Sequence, residues 1–251
     1  MQLDWLTARP IAHRGYHSAA NGVIENTLPA VEAAVARGFG IEVDLQLTAD
    51  GEAVVFHDER LERLTSGEGL VKDRTAAELA EIPFKGTQAR IPRLQQLLDT
   101  VQGRVPLVIE IKSHARRAID EALTRRTVEV LAGYSGPFVC KSFDPEIVAF
   151  LRQIAPDLPR GIVSDDWRDK SHFPQFGSIE RFALRHLLHA PRTRPHFVSY
   201  CIDHLPAPGP SLLKKLWGCP IISWTVRRPE QRERARVFAD QIVFEGFDPD
   251  A

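Results

Sequence analysis

Residues 40–51 read GIEVDLQLTADG, and the alternation at their start decides how the chain is laid out. Ile41, Val43 and Leu45 alternate with Glu42 and Asp44, a period of two that belongs to a β-strand. A strand is expected over Gly40–Leu45, its apolar set packed on helices and both acids turned inward. Two like charges facing inward are costly unless a cation compensates them. The acids are therefore either a metal-type pair, whose oxygens favour Mg²⁺ or Ca²⁺, or the solvated face of an edge strand. Thr48-Ala49-Asp50-Gly51 reads as a tight turn. A chain folded back there pairs residues whose numbers sum to roughly 100, which puts His57 beside Val43 and close to Glu42 and Asp44.

Outward from this hairpin, short apolar runs recur at Pro10–Ala12, Pro106–Ile111, Phe138–Lys141, Arg160–Val163, His196–Tyr200, Pro220–Trp224 and Gln241–Phe244. Helix signals stand between most of them. Thr27 can cap a helix that has Pro29 in its first turn and Gly38 beyond its end; Asp144-Pro145-Glu146 and Pro229-Glu230 open two more. Eight strands alternating with helices in a chain of 251 residues predict an α/β fold, a (β/α)8 TIM barrel. A doubly wound open sheet is the alternative, but the first strand-to-helix loop, HRGYHSAANGVIENT, lacks a GxGxxG phosphate loop. One domain over residues 1–251 is expected, with a small insertion at 58–93. That insertion holds a Thr75/Glu78 capping box and closes at Ile91-Pro92, ahead of a helix from Leu94 to Thr100.

Composition narrows the function classes. Apolar residues make up 43 % and charged residues 26 %, the balance of an ordinary globular protein. A net charge of −1 gives no case for a nucleic-acid partner. No run approaches the roughly 20 apolar residues of a membrane span, so no stable membrane insertion is expected. The start, MQLDWLTARP, lacks the apolar core of a signal peptide, and a cytoplasmic location is expected. Cys140, Cys201 and Cys219 are odd in number and far apart; they read as reduced thiols outside any metal site. Nothing in the sequence sets an oligomeric state.

The chemistry-bearing residues gather at expected strand ends. His13 and Arg14 end the first strand, in PIAHRG. Glu110 and Lys112 end VPLVIEIK and, two apart, face the same way; they are either a rim salt bridge or a third carboxylate with a cation for an anionic substrate. Two histidines, three carboxylates and two cations suit phosphodiester chemistry. One histidine takes a proton from the attacking oxygen, the other returns one to the leaving alkoxide, and cations stabilise the phosphoryl oxygens. His172, His186, His189 and His196 fall among Arg181, Arg185, Arg192 and Arg194, read as a solvated helix and loop with an anionic lipid contact as the alternative. Arg232, Arg234 and Arg236 with Glu230 and Glu233 read as an ion-pair-laced helix surface.

As a set, HRG, Glu25-Asn26-Thr27, Glu42-x-Asp44 with its TADG turn, His57-Asp58, Ile91-Pro92-x-Leu94 and Glu110-x-Lys112 resemble the glycerophosphodiester phosphodiesterase family in order and spacing. The C-terminal half is similar more loosely, through Lys141-Ser142-Phe143 and Ser223-Trp224-Thr225-Val226. The family's usual Thr-Asp after the last strand is replaced by Glu245-Gly246. The resemblance implies His13 as general base, His57 as general acid, and Glu42, Asp44 and Glu110 around one Mg²⁺ or Ca²⁺. It implies Arg14 and Lys112 on the phosphate, with Glu25, Phe143 and Trp224 near the substrate and Asn26 and Thr27 mainly structural. The implied partner is a small glycerophosphodiester, attacked by its own glycerol 2-hydroxyl and opened to glycerol 3-phosphate and an alcohol, in lipid and glycerol metabolism. A lysophospholipase D-like or cyclising phosphodiesterase is the alternative, and a non-catalytic barrel that binds a phosphorylated metabolite is the second.

Overall fold

The structure, a computed structural model, describes residues 3–168 and 177–251. By its internal contacts the chain forms two compact units, one of residues 11–140 and one of residues 1–10 with 141–251.

In the first unit, β1 (Ile11–Ala12), β2 (Gly40–Leu47) and β4 (Leu107–Ile111) run parallel, with β2 in the middle. The register sets Ile11 beside Gly40 and Asp44 beside Glu110. β3 (Ala53–Val55) returns antiparallel on β2, pairing Leu45 with Val55 and Leu47 with Ala53, the expected sum of residue numbers. This pairing also carries β2 two residues past the expected Leu45, because each added residue gains a ladder partner.

The helix Leu28–Ala36 follows β1 with Pro29 in its first turn and Gly38 beyond it at φ +65°. Thr27 precedes it in extended conformation but does not cap it through its side chain. Its hydroxyl donates instead to the Ile24 carbonyl at 2.7 Å, tying down the loop. Within 58–93, Leu61, Val71, Ala76, Leu79, Phe84 and Ile91 pack with Val54 and Phe56 of the hairpin, and Thr75 and Glu78 form the expected capping box.

β5 (Phe138–Ser142) spans the division between the units, and β6 (Arg160–Ser164), β7 (Phe197–Cys201), β8 (Ile221–Val226) and β9 (Gln241–Phe244) complete the set. β6 to β9 pair in parallel, with Ser164 beside Tyr200, Cys201 beside Trp224 and Val226 beside Phe244. Helices Pro145–Ile154, Pro208–Trp217 and Pro229–Phe238 alternate with them, and the Asp144 carboxylate accepts from the Glu146 N–H at 2.8 Å as an N-cap. A second core packs Val148, Ile162, Val198, Tyr200, Leu213 and Ile221. Eight strands lie in parallel order with helical chain between them, and the fold class is the expected (β/α)8 barrel. Among the described residues, no helix is long and apolar enough to cross a membrane.

Gly15 shows how tightly the start is built. Its φ is +81°, and a Cβ there would come within 2.8 Å of the Ala30 Cβ and 2.9 Å of the Ala30 backbone. Gly51 has φ +79° but open space around it. Gly15→Ala should therefore destabilise by about 2–4 kcal/mol, strain and overpacking together, and Gly51→Ala by only about 1 kcal/mol. Urea unfolding of the two variants measures the difference.

Candidate active site

The first unit brings eight of the expected site residues together. Glu42, Asp44 and Glu110 are 1 %, 1 % and 4 % exposed, and a carboxylate oxygen from each lies within 4.8 Å of the others. Their placement follows from register, since Asp44 is paired with Glu110 across β2 and β4 and Glu42 lies two residues back on the same face. Lys112, two residues beyond Glu110, sets its Nζ 2.8 Å from Asp44 Oδ1 and 2.6 Å from Glu110 Oε1. The alternative of a solvated edge strand does not hold, because β2 is buried along its whole length; Glu110 and Lys112 do form a salt bridge, and Asp44 shares it.

At the end of β1 the chain turns through Arg14 at φ +58° and Gly15. The turn directs the Arg14 backbone N–H to Glu42 Oε2 at 3.2 Å and brings His13 Nε2 to 3.9 Å from the same oxygen. The Arg14 guanidinium donates to Glu25 Oε1 at 2.6 Å and lies 3.5 Å from Asp44 Oδ2. His57 follows β3, and its ring Nδ1 is 2.7 Å from Asp58 Oδ1.

Electrostatics keep Asp44 and Lys112 ionised. Burial alone would raise the Asp44 carboxyl, but Lys112, His57, Arg14 and His13 together hold it well below the usual carboxylate range. Burial likewise disfavours the Lys112 ammonium, and Asp44 and Glu110 more than offset it, so its pKa is raised. Asp58 is held far below its ordinary value despite partial burial, by hydrogen bonds from His57 and Arg63.

Three residues matter that the motifs alone did not bring forward. Asn26, read as mainly structural, is fully buried at φ +58°; its Nδ2 donates to Asp44 Oδ2 at 2.9 Å and its Oδ1 accepts the Asp44 N–H at 3.3 Å. Arg63, within 58–93, donates to Glu25 Oε1 at 2.8 Å and to both oxygens of Asp58, and so ties the partner of Arg14 to the partner of His57. Gln46 donates to the His57 carbonyl at 2.9 Å and meets His114 Nε2 at 2.8 Å. Gln46 continues the alternation of Glu42 and Asp44 along β2, and that was its available signal; Arg63 carried none.

Phe143 and Trp224 lie in the second unit, edge to face at 5.3 Å, with Trp167 6.2 Å from Phe143. Glu245, which replaces the family's usual residue, pairs with Arg227 at 3.0 Å. The basic segment is laced into the fold. Arg192 pairs with Glu146, Arg185 with Asp166 at 2.8 Å, and Arg194 stacks over Trp217 at 5.5 Å. Burial, with Arg192 nearby, pushes His189 down to about 4. His172 lies outside the described residues. On the later helix, Arg236 pairs with Glu233 at 2.6 Å, whereas Arg232 and Arg234 donate to the carbonyls of Pro249 and Asp203.

All three cysteines are free thiols. Cys201 and His204, three residues apart, meet Asp165 with one donor atom from each within 4.8 Å, a group of donors that could hold a metal ion.

Buried carboxylates on paired strands, with two cations and two histidines close by, suit phosphoryl chemistry. The sequence profile of the glycerophosphoryl diester phosphodiesterase family matches residues 13–243. The chain belongs to this family and is a phosphoric diester hydrolase. It is similar to the glycerophosphodiester phosphodiesterase of Caldanaerobacter subterraneus, 33 % identical over 236 residues that cover 89 % of this chain and 88 % of that one. Its fold is similar to that of an Oleispira antarctica phosphodiesterase in complex with the product sn-glycerol-3-phosphate, at TM-score 0.76 and 22 % identity, covering 94 % and 92 % of the two chains. A Thermotoga maritima glycerophosphodiester phosphodiesterase is similar at TM-score 0.71 and 25 % identity over 94 % of each chain.

The cluster makes a pH-dependent prediction. In chelator, Lys112→Met leaves Asp44 and Glu110 buried without their cation and should cost about 3–5 kcal/mol at neutral pH. The depressed Asp44 carboxyl stabilises the fold above its unfolded pKa, near 3.8, and that stabilisation is lost as pH falls through the folded value. The gap between wild type and variant should therefore narrow in acid, as denaturant unfolding at a series of pH values would show.

Proposed function

We propose that this chain hydrolyses small glycerophosphodiesters to glycerol 3-phosphate and an alcohol, with one divalent cation and a pair of histidines. The observation that carries this reading is the cluster of Glu42, Asp44 and Glu110 under Lys112 and Arg14, with His13 beside it. An all-oxygen donor set fits Mg²⁺ or Ca²⁺, and its three carboxylates outnumber the two cations among them. Glu42, Asp44 and Glu110 would hold it, and when bound it supplies Lewis-acid stabilisation of phosphoryl charge.

The chain's own residues divide the remaining work. Arg14 and Lys112 bind the phosphate oxygens and stabilise their growing charge. His13 takes the proton of the substrate's glycerol 2-hydroxyl as it attacks phosphorus, and nearby Glu42 stabilises the imidazolium that results. His57, held at Nδ1 by anionic Asp58, uses Nε2 to protonate the departing alkoxide. A cyclic phosphate forms, and water opens it with the two histidines in reversed roles. Glu25 orients Arg14, and residues 58–93 are an insertion into the catalytic domain that carries Arg63.

The test is a panel of glycerophosphodiesters assayed for glycerol 3-phosphate with and without chelator. Turnover should stop in EDTA and return with Mg²⁺ or Ca²⁺. His13→Ala and His57→Ala should each lower kcat by about 10²–10⁴-fold with the circular dichroism spectrum unchanged. Near-full activity in either variant overturns its assignment. A lysophosphatidate or accumulated cyclic product would indicate the lysophospholipase D-like or cyclising alternative. Thermal stabilisation by metal without turnover would indicate a binding protein. Arg63→Met should lower kcat by about 10–100-fold with little change in unfolding midpoint, since it removes orientation rather than packing.

A further inference from the structure

The group at Asp165, Cys201 and His204 arises from strand register. Ser164 and Tyr200 are paired across β6 and β7, so the residues that follow them, Asp165 and Cys201, leave the two strands side by side. A single 3₁₀ turn over Ile202–His204 then brings the imidazole back, and its Nδ1 meets Asp165 Oδ1. Among the described residues this group and the carboxylate cluster are the two that place three such donors within 4.8 Å.

The surroundings hold Asp165 in place. The Tyr200 hydroxyl donates to the Asp165 carbonyl at 3.1 Å, and Asp165 Oδ1 accepts the Asp166 N–H at 2.7 Å. Asp166 is taken by Arg185 at 2.8 Å and Arg168 at 3.1 Å, and Asp203 accepts from Gln231 at 2.9 Å. The His204 side chain is 43 % exposed, which leaves a side of the group open to water.

We propose that Asp165, Cys201 and His204 form a second metal site, selective for a zinc-class divalent cation, with water completing its coordination. One thiolate, one imidazole and one carboxylate are donors of borderline softness that Mg²⁺ and Ca²⁺ bind poorly. Tetrahedral zinc holds such donors roughly 3.3–3.7 Å apart, which side-chain adjustment alone can reach from the present spacing. The cysteine ligates as its thiolate, so binding takes in one cation and releases one thiol proton to solvent. None of the three donors takes part in the proposed reaction at Glu42, Asp44 and Glu110.

Cobalt is the probe, because a thiolate bound to Co²⁺ gives a near-ultraviolet charge-transfer band that oxygen ligands do not. Reduced, chelator-treated protein titrated with Co²⁺ should develop this band with release of one proton per metal, and Zn²⁺ should displace the Co²⁺ and abolish the band with no further proton release. Cys201→Ser should abolish the band. Asp165→Asn and His204→Ala, the latter changing a half-exposed side chain, should weaken zinc uptake by about 100-fold or more. Glu110→Gln should leave the band in place. Absence of the band in the wild type, its persistence in Cys201→Ser, or unchanged zinc affinity in His204→Ala overturns the proposal.

Discussion

Lys112 Nζ lies between Asp44 Oδ1 and Glu110 Oε1, and the rest of the first unit is arranged so that this contact can exist out of water. Each ion loses several kcal/mol of hydration on burial, and attraction repays that loss only where partners are fixed in good geometry. The register Asp44–Glu110 supplies two of the partners, and the period of two adds Glu42 and Lys112 to the same face. Asn26 then meets the second oxygen of Asp44 and its backbone N–H, so the carboxylate is oriented as well as compensated. A shift of one residue in β2 would turn Glu42 and Asp44 into the apolar layer, so the site's electrostatics and the strand pairing select the same register.

Arg63 extends the constraint beyond the strands. Its guanidinium joins Glu25, which holds Arg14, to Asp58, which holds His57. The proposed phosphate clamp and the proposed acid therefore share one anchor. That anchor sits between Leu61 and Val71, both packed against Val54 and Phe56 of the hairpin. Burial of such side chains contributes about 1.5–3 kcal/mol apiece, more than an exposed ion pair could, and it fixes where the guanidinium starts. The stretch over 58–93 thus acts on the site through packing and one side chain.

Much of this was legible in the sequence because periodicity and turn chemistry are local. The alternation of Glu42 and Asp44, the Asp50-Gly51 turn and the Pro and Gly marks at helix ends each act within a few residues, and the strands lie where these signals put them. What was hidden depended on long-range placement. Asn26 stood in a triplet that reads as a helix start, yet its left-handed backbone turns its amide to a strand 18 residues away. Arg63 lies in a charged run where nothing distinguishes one arginine from the next until Glu25 and Asp58 converge on it. Thr27 had every mark of a cap, but its hydroxyl found the Ile24 carbonyl first.

The two metal-capable groups differ in a way that bears on how metal effects should be read. Glu42, Asp44 and Glu110 offer oxygen alone, are buried, and keep a neighbouring ammonium that any cation must share its ligands with. Hard ions with flexible oxygen coordination suit that environment, and the net negative charge rather than ligand softness attracts them. Asp165, Cys201 and His204 add sulfur and nitrogen, for which a zinc-class ion gains covalency that Ca²⁺ cannot. Zinc also outcompetes magnesium at oxygen sites in the general order of affinities, so a change in turnover on adding zinc would not by itself say which group had bound it. Only a signal that originates at sulfur separates them, because sulfur belongs to one donor set and not to the other.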